Sequence, residues 1–208
     1  GRLIKSVDPK ANVTEFGFDK LGRKVSQKNA DGNVSFWEYD KAGNLITETS
    51  PEGKKIITTY DALNRKTKVA IGAAQKTFSY YQNGMLEKEI NFNGVLTTYQ
   101  YDAVGHMIYR HEGFGRPEVV DMNFDYNMNG SLTNIALWKT INNARSPIGQ
   151  VNFQYDNLQR CIFEADAGGV QKKFVYDGGG NNIRISKRDG VEIYKKYDNL
   201  NRLIEVKS

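Results

Sequence analysis

The sequence predicts an all-β fold: a repeat array of about nine antiparallel β-hairpins, with a period of 21 residues, that forms a single-layer, coiled or spiral strip of β-sheet. Three observations predict this fold. An aromatic residue followed by a turn sequence recurs at a nearly fixed spacing, short apolar segments alternate with glycine-containing turns, and aromatic and polar residues alternate within those segments. No segment shows the 3.6-residue apolar period of a helix.

The repeated element is clearest at residues 39–46, which read Tyr-Asp-Lys-Ala-Gly-Asn-Leu-Ile. Its leading aromatic residue recurs at spacings of 21, 21, 20, 21, 25, 29, 21 and 21 residues. The copies begin at Phe18, Tyr39, Tyr60, Tyr80, Tyr101, Tyr126, Tyr155, Tyr176 and Tyr197. A constant spacing of this kind means that each copy is one supersecondary unit, which buries its apolar surface only against its neighbours.

The Tyr-Asp-x-x-Gly element is a predicted turn between hairpins. Its aspartate can accept hydrogen bonds from the backbone amides that follow, which is how aspartate starts a turn. Aspartate holds this position in Asp40, Asp61, Asp102, Asp156, Asp177 and Asp198. The fourth residue after the aromatic, such as Gly43 or Gly105, needs to tolerate a left-handed backbone, and Gln159 is the exception.

A second turn closes each hairpin. Glycine stands fourteen residues after the aromatic in most copies, at Gly32, Gly53, Gly94, Gly115, Gly169 and Gly190. Asp-Gly and Asn-Gly pairs, as at residues 31–32 and 93–94, favour two-residue hairpin loops because both residues tolerate positive φ angles. The sequence therefore predicts two-residue loops at these glycines.

The strand that precedes each repeat aromatic alternates aromatic and polar residues. The residue two positions before the repeat aromatic is itself aromatic in most copies, at Phe16, Trp37, Phe78, Tyr99, Phe124, Phe153 and Phe174. Period-two alternation places these rings on one face of the sheet and the polar residues on the other. We expect the rings to form ladders across the sheet, in which neighbouring rings contribute about 0.5–1 kcal/mol per pair.

The composition fits a half-solvated sheet better than a thick core. Hydrophobic residues make up 39% of the 208 residues, aromatic residues 12%, and the mean hydropathy is -0.61. About eighteen strands are expected, and twisted open sheets rarely exceed ~10 strands without curling, so we expect the strip to coil. The chain begins and ends partway through a unit, so we interpret residues 1–208 as one array that is a fragment of a longer one.

Residues 116–150 depart from the repeat. Four additional residues precede Tyr126, and eight more separate it from Tyr155. We interpret this region as irregular units with a lengthened hairpin and a long loop at residues 142–147. Insertions on a regular array often carry contacts, and Trp138 and Arg145 are the candidate contact surface. The alternative is drift that the array tolerates, because longer surface loops cost little entropy.

The sequence contains no recognisable catalytic, metal-binding or cofactor-binding constellation. His106 and His111 lie five residues apart on a predicted strand, which places them on opposite faces, and Cys161 is the single cysteine. The recurring aspartates are explained by their position in turns. The net charge of +5 comes from dispersed residues, which disfavours nucleic-acid binding, and no apolar segment approaches the roughly 18–20 residues of a membrane-spanning helix.

Residues 197–204, Tyr-Asp-Asn-Leu-Asn-Arg-Leu-Ile, and residues 18–23, Phe-Asp-Lys-Leu-Gly-Arg, resemble the RHS/YD repeat. Proteins with this repeat include bacterial RHS and polymorphic toxins, the B and C components of insecticidal toxin complexes, and animal teneurins. The resemblance covers essentially the whole chain. It implies a hollow β-shell, which in the toxins encloses a C-terminal effector, and an extracellular or bacterial cell-surface location. The Asp-Pro self-cleavage motif of the toxin members is not matched at Asp8-Pro9, so the resemblance implies no protease activity.

Two functional hypotheses remain open. The first is a non-catalytic structural segment of a secreted RHS/YD-repeat protein, whose partners are other repeats of the same shell and an enclosed or displayed toxin or effector polypeptide. The alternative is a cell-surface adhesion or carbohydrate-binding module that uses the irregular region. Unprotected edge strands also predict edge-to-edge self-association. A β-propeller is the second candidate fold, since two units would make one blade, but we find successive units too alike for inner and outer blade strands.

Overall fold

The computed structural model describes residues 2–114, 117–166 and 168–208. Over these residues the chain forms nineteen β-strands and no helix, which confirms the predicted all-β class. The chain divides into two compact units, residues 1–96 and residues 97–208. Gly115, one of the predicted hairpin glycines, and the first residue of the irregular region, Arg116, lie outside the described residues.

The first unit is an antiparallel meander in which each strand pairs with the next. Its strands are β1 (Lys5–Val7), β2 (Val13–Phe18), β3 (Lys24–Lys28), β4 (Val34–Tyr39), β5 (Leu45–Thr49), β6 (Lys55–Tyr60), β7 (Lys66–Ile71), β8 (Ala74–Tyr80) and β9 (Leu86–Ile90). These segments are rich in β-branched and aromatic residues, which fit a pleated, half-buried surface. A tenth strand, β10 (Leu96–Tyr101), contains the division between the units.

The second unit continues the same pattern, and from β11 onward each strand again pairs antiparallel with the next. Its remaining strands are β11 (Met107–Phe114), β12 (Glu118–Tyr126), β13 (Leu132–Ile141), β14 (Ala144–Tyr155), β15 (Cys161–Asp166), β16 (Gln171–Tyr176), β17 (Asn182–Lys187), β18 (Glu192–Tyr197) and β19 (Leu203–Lys207). Every repeat aromatic is the last residue of an even-numbered strand. The hairpins therefore fall in the predicted frame.

The pairing register shifts by one residue next to the repeat aromatic. In β4, Glu38 pairs with Thr47 whereas Tyr39 pairs with Leu45, so Ile46 is an extra residue. The same shift occurs beside Phe18, Tyr60, Tyr80, Tyr126, Tyr155, Tyr176 and Tyr197. A β-bulge of this kind increases the local twist and reorients the neighbouring side chains. The bulge thus recurs with the repeat.

The prediction of two-residue loops is wrong at the described hairpin glycines, Gly32, Gly53, Gly94, Gly169 and Gly190. Gly32 N donates to the Asn29 carbonyl at 3.0 Å and Asn29 N donates to the Asn33 carbonyl at 2.9 Å, which closes a three-residue loop. The same pair of bonds closes residues 50–54, 91–95, 166–170 and 187–191. Gly32 is left-handed, with a φ of 85°. A type I turn followed by one left-handed glycine needs a single such residue, whereas the two-residue type I′ loop needs two.

Residues 142–147 do not form the predicted long loop. Asn142 and Asn143, with φ angles of 50° and 65°, make a two-residue loop that joins Ile141 to Ala144. Asparagine tolerates the left-handed backbone that such a loop requires at both positions. Residues 144–147 therefore belong to β14, and the additional residues lengthen β12, β13 and β14 to 9, 10 and 12 residues.

Neither face of this sheet is covered by a core. No apolar side chain among the described residues is fully buried, and the buried polar residues are Thr97 and Asp121. Along β6, Ile56, Thr58 and Tyr60 are half-buried while the residues between them are exposed, which confirms the period-two alternation there. Stability in a single layer comes chiefly from the backbone ladder and from cross-strand side-chain contacts.

The ladder of ring-to-ring contacts stays a prediction. An odd-numbered strand separates the strands that carry successive aromatics, so the backbones of those strands lie about 9–10 Å apart. Cations occupy the positions over two of these rings in the first unit. Lys24 Nζ lies 4.0 Å from the Trp37 ring centroid, and Lys76 Nζ lies 5.1 Å from that of Phe78. These rings are stabilised by cation–π contacts.

Candidate functional site

Two arrangements of side chains are candidates for a functional role. The first is the turn motif, defined as the repeat aromatic and the five residues after it. The second is the Asp121 cluster, defined as Tyr109, His111, Asp121, Trp138 and Arg145. The turn motif recurs along the chain, whereas the Asp121 cluster occurs in the lengthened strands and outside the repeat.

In the turn motif the aspartate binds the backbone ahead of it. Asp61 Oδ1 accepts hydrogen bonds from the backbone N–H groups of Leu63 and Arg65, each at 2.9 Å, and Oδ2 accepts from Arg65 Nε at 2.7 Å. The backbone amide of Arg65 and its side chain outweigh desolvation and lower the pKa of Asp61. The same two-oxygen arrangement is found at Asp19, Asp156 and Asp198.

Variants of the motif keep the backbone geometry. After Asp40 and Asp177 the fifth residue is an asparagine, whose backbone N–H and side-chain amide both donate to the aspartate. After Asp102 it is His106, whose backbone N–H donates to the aspartate and whose Nδ1 lies 2.9 Å from Asp102 Oδ2. The fourth residue after the aromatic has a positive φ angle in all nine copies, at Gly22, Gly43, Asn64, Gly84, Gly105, Gly130, Gln159, Gly180 and Asn201. Gln159 therefore adopts the left-handed backbone despite its side chain, with a φ of 61°.

In four motifs the fifth residue contacts the aromatic ring of the next motif. The guanidinium carbon of Arg65 lies 4.5 Å from the Tyr80 ring centroid. Equivalent contacts join Arg23 to Tyr39 and Arg160 to Tyr176, each at 4.7 Å, and the His106 ring stacks on Tyr126 at 4.7 Å. Sequence reasoning missed this role, although the recurrence of arginine or histidine at the fifth position was a visible signal.

The repeat tyrosines add a second coupling, between the two strands of each hairpin. Tyr155 Oη donates to the Leu132 carbonyl at 2.7 Å, and burial raises the pKa of Tyr155. Equivalent hydrogen bonds run from Tyr39 to Lys24, Tyr60 to Leu45, Tyr80 to Lys66, Tyr126 to Met107, Tyr176 to Cys161 and Tyr197 to Asn182. Each of these tyrosines therefore ties the end of one even-numbered strand to the start of the odd-numbered strand before it.

Strands β11 to β14 bring the Asp121 cluster onto one face of the lengthened sheet. His111 is directly opposite Asp121, and Asp121 is directly opposite Trp138. Tyr109 lies two residues before His111, and Arg145 pairs with the residue two positions after Trp138. Strand alternation keeps all five side chains on this face.

Asp121 is the centre of the cluster, with only 6% of its surface exposed. The Tyr109 hydroxyl donates to Oδ1 at 2.6 Å, His111 Nδ1 lies 2.6 Å from the same oxygen, and Arg145 Nε lies 3.7 Å from Oδ2. Burial alone would raise the pKa of Asp121. The hydrogen bonds from Tyr109 and His111, helped by the charges of His111 and Arg145, outweigh burial and leave the pKa below its ordinary value.

The pKa of Tyr109 is shifted in the opposite direction, upward. Burial is the largest cause, followed by the hydrogen bond to the Asp121 carboxylate and its negative charge, and together they raise the pKa of Tyr109 to about 12. Tyr109 is therefore a protonated donor at neutral pH. An ionised carboxylate held by fixed donors braces neighbouring strands, and a phenol with this pKa is a poor proton acceptor at that pH.

The structure brings together the two residues that the sequence nominated as a contact surface. The Arg145 guanidinium carbon lies 4.5 Å from the Trp138 ring centroid, and the Arg145 side chain is 49% exposed. Trp138 Nε1 is buried and has no hydrogen-bond partner among the described residues. An open groove of about 340 Å³ lies beside Trp138, lined also by Ala136, Pro147 and Gln150.

Sequence reasoning missed Tyr109, His111 and Asp121 as members of one cluster. Strand alternation in the sequence indicates that Tyr109 and His111 lie on the same face of their strand. The pairing register that places His111 opposite Asp121 could not be read from the sequence. Among the described residues, no group of three or more His, Cys, Asp or Glu side chains is placed to hold a metal ion. No helix in the described part of the chain is long and apolar enough to cross a membrane.

A single-layer antiparallel array in which one turn motif couples successive hairpins defines a YD-type repeat protein. Residues 88–208 match the Teneurin YD-shell family, and residues 39–76 match the RHS repeat family. The chain belongs to the Teneurin YD-shell family. This finding confirms the RHS/YD-repeat resemblance drawn from the turn motif.

Solved toxin structures share the fold. A Photorhabdus luminescens Tc holotoxin pore matches 93% of this chain with a TM-score of 0.72 and 17% identity. TcdB2-TccC3 without its hypervariable C-terminal region also matches 93% of the chain, with a TM-score of 0.74 and 15% identity. The chain spans 12% of the length of each of these solved chains, and no curated protein sequence matches it. Family and fold together support a structural role as part of a YD shell.

Proposed function

We propose that this chain is a non-catalytic wall segment of a secreted RHS/YD-repeat protein, and that the wall encloses or displays a toxin or effector polypeptide. The observation that carries the proposal is the coupling of successive repeats. The recurring aspartate, arginine and tyrosine side chains of the turn motif bind the motif itself or an adjacent repeat, as Asp61, Arg65 and Tyr80 illustrate. Such a motif builds an extended wall from local contacts.

The non-catalytic assignment is supported by the state of the Asp121 cluster. Its carboxylate accepts two short hydrogen bonds at Oδ1, and its tyrosine stays protonated at neutral pH. A general base needs a pKa near the working pH and access to a substrate proton. The cluster is suited instead to holding β11 to β14 in register.

The proposed partners are other repeats of the same shell and the enclosed polypeptide. Strands β1 and β19 are exposed over all of their residues, which supports pairing of further strands along these edges, including edge-to-edge self-association. An extracellular or bacterial cell-surface location is proposed from the family resemblance. We propose no nucleic-acid partner and no cofactor.

A carbohydrate-binding or adhesion role is the second candidate, and the groove beside Trp138 is the observation that favours it. Arg145 covers one face of the Trp138 ring, which reduces the surface available for stacking a sugar. Glycan-array binding of the chain and of Trp138→Ala tests this role. Binding that is lost in Trp138→Ala would support it, and binding that is absent or unchanged would oppose it.

Limited proteolysis of the full-length protein tests the wall role. Combined Tyr39→Phe, Tyr60→Phe and Tyr80→Phe substitutions remove three hydroxyl couplings. We expect the enclosed polypeptide to be cleaved earlier in this variant than in the parent, while Leu63→Ser, at an exposed turn position, serves as the matched control. Equal cleavage of that polypeptide in the parent, the variant and the denatured protein would contradict the proposal.

A further inference from the structure

We propose that the structural unit of this array is a pair of repeats of about 42 residues, in which a strong contact alternates with a more yielding one. This inference concerns the mechanics of the wall and does not depend on what the wall encloses. It rests on the fifth residue of the turn motif. In chain order that residue is Arg23, Asn44, Arg65, Met85, His106, Ser131, Arg160, Asn181 and Arg202.

Arginine or histidine therefore occupies the fifth position in every second motif. We call the contact of an arginine with the next aromatic ring a cation contact, and His106 stacks on Tyr126 in the equivalent place. The motifs between them carry Asn44, Met85, Ser131 or Asn181 instead. The expectation that successive units do not differ in character was therefore wrong for these turns.

Three of the four uncharged residues make a different contact, and Met85 is the exception because the fourth residue of the next motif is Gly105. Asn44 Nδ2 donates to Asn64 Oδ1 at 2.7 Å, and Asn181 Nδ2 donates to Asn201 Oδ1 at 2.9 Å. Ser131 Oγ donates to Gln159 Oε1 at 2.6 Å. We call these amide contacts. Each acceptor is the fourth residue of the next motif and has a left-handed backbone. The fourth residue is not glycine in three motifs, and these three residues, Asn64, Gln159 and Asn201, are the acceptors of the amide contacts.

Glycine stands at the fourth position of each motif that follows an arginine or histidine, at Gly43, Gly84, Gly130 and Gly180. A Cβ atom added at Gly130 would lie 3.0 Å from His106 Nε2, and one at Gly84 would lie 3.8 Å from Arg65 Nη1. A side chain at Gly130 would therefore crowd His106, and a longer side chain at Gly84 would reach Arg65, whereas a Cβ atom at Gly180 would meet nothing within 4 Å. At Gly84 and Gly130 the fifth residue of one motif thus disfavours a side chain at the fourth position of the next motif.

The two contacts differ in strength. Both residues bond the aspartate of their own motif, Arg65 to Asp61 at 2.7 Å and Asn44 to Asp40 at 2.9 Å. Toward the next repeat, Arg65, whose side chain is about three-quarters buried, makes a cation–π contact with Tyr80, whereas Asn44 makes a single exposed hydrogen bond to Asn64, which water can replace. The sheet should therefore open first after the motifs whose fifth residue is uncharged, once every two repeats.

A double-mutant cycle in the whole chain tests this inference with Asn44→Arg, Asn64→Gly and the double variant. Asn44→Arg alone should lower the urea midpoint, because the Asn64 side chain occupies the space that the guanidinium needs. Adding Asn64→Gly should restore the midpoint to at least the parent value, since the new arginine can then pair with Asp40 and stack on Tyr60. Backbone amides of β5 and β6 should exchange about tenfold more slowly in the double variant than in the parent.

Strictly additive midpoints, or unchanged amide exchange in the double variant, would overturn the inference. The reverse exchange, Arg65→Asn with Gly84→Asn, converts a cation contact into an amide contact and keeps the inference testable if Asn44→Arg fails to fold. Amides of β7 and β8 should then exchange about tenfold faster than in the parent. Exchange that is unchanged by this conversion would contradict the proposed difference between the contacts.

Discussion

The turn aspartates and Asp121 use the same chemistry in different surroundings. Asp61 lies in a turn and accepts hydrogen bonds from the backbone and the side chain of Arg65, four residues later. Equivalent turn aspartates recur through the chain. Asp121 lies within a strand, is nearly fully buried, and is held by groups from β11 and β14. The turn aspartates build the array from local contacts. Asp121 instead holds together the four long strands β11 to β14, whose length departs from the repeat.

Asp121→Asn is expected to have the largest effect. Loss of the charge leaves Arg145 and His111 without their buried partner, so the free energy of unfolding should fall by roughly 2–4 kcal/mol. Urea denaturation measures this change. Asp61→Asn is the matched control and should destabilise the chain clearly less, because the solvent around a turn replaces part of the lost contact. Equal losses in the two variants would remove the distinction between the two aspartates.

The titration of Tyr109 sharpens the same comparison. Its raised pKa means that the folded state favours the protonated phenol, so this contribution to stability is complete below about pH 10 and is lost as pH rises through about 12. Absorbance titration should show one late-titrating tyrosine that disappears in Tyr109→Phe. In Asp121→Asn the pKa of Tyr109 should move back toward its ordinary value, and an unshifted titration would contradict the assigned cause.

The hydroxyl of a repeat tyrosine should contribute less than Asp121. Tyr155→Phe removes one hydrogen bond to the Leu132 carbonyl and should cost about 1 kcal/mol of unfolding free energy. Tyr194→Phe is the control, since this half-exposed ring sits outside the repeat position and its hydroxyl donates to Glu192 in an exposed hydrogen bond. A loss in Tyr194→Phe as large as in Tyr155→Phe would show that the repeat position carries no special coupling.

The smallest predicted effect is a gain. Gln159→Gly relieves a left-handed backbone that disfavours a side chain by roughly 1–2 kcal/mol, and it gives up one exposed hydrogen bond from Ser131. We expect the free energy of unfolding to rise by about 0.5 kcal/mol. Thermal unfolding of the two proteins measures the difference, and a lower melting temperature in Gln159→Gly would show that the lost amide contact outweighs the relieved strain.

Local features were predictable from the sequence, and features that depend on register were not. The turn aspartates, the left-handed fourth residues and the strand ends at the repeat aromatics follow from residue types within five positions of one another. The loop at residues 142–147 was misread because two asparagines sufficed to close it. The Asp121 cluster needed the pairing of His111, Asp121 and Trp138 across three strands, which no local pattern specifies.

Hydrogen exchange at residue resolution, compared between Asp61→Asn and Asp121→Asn, tests the central claim most directly. If the turn motif acts locally and the Asp121 cluster braces the long strands, Asp61→Asn should speed exchange only in β6, β7 and β8. Asp121→Asn should speed exchange together in β11, β12, β13 and β14. Faster exchange confined to β12 in Asp121→Asn, or spread through the first unit in Asp61→Asn, would contradict this account.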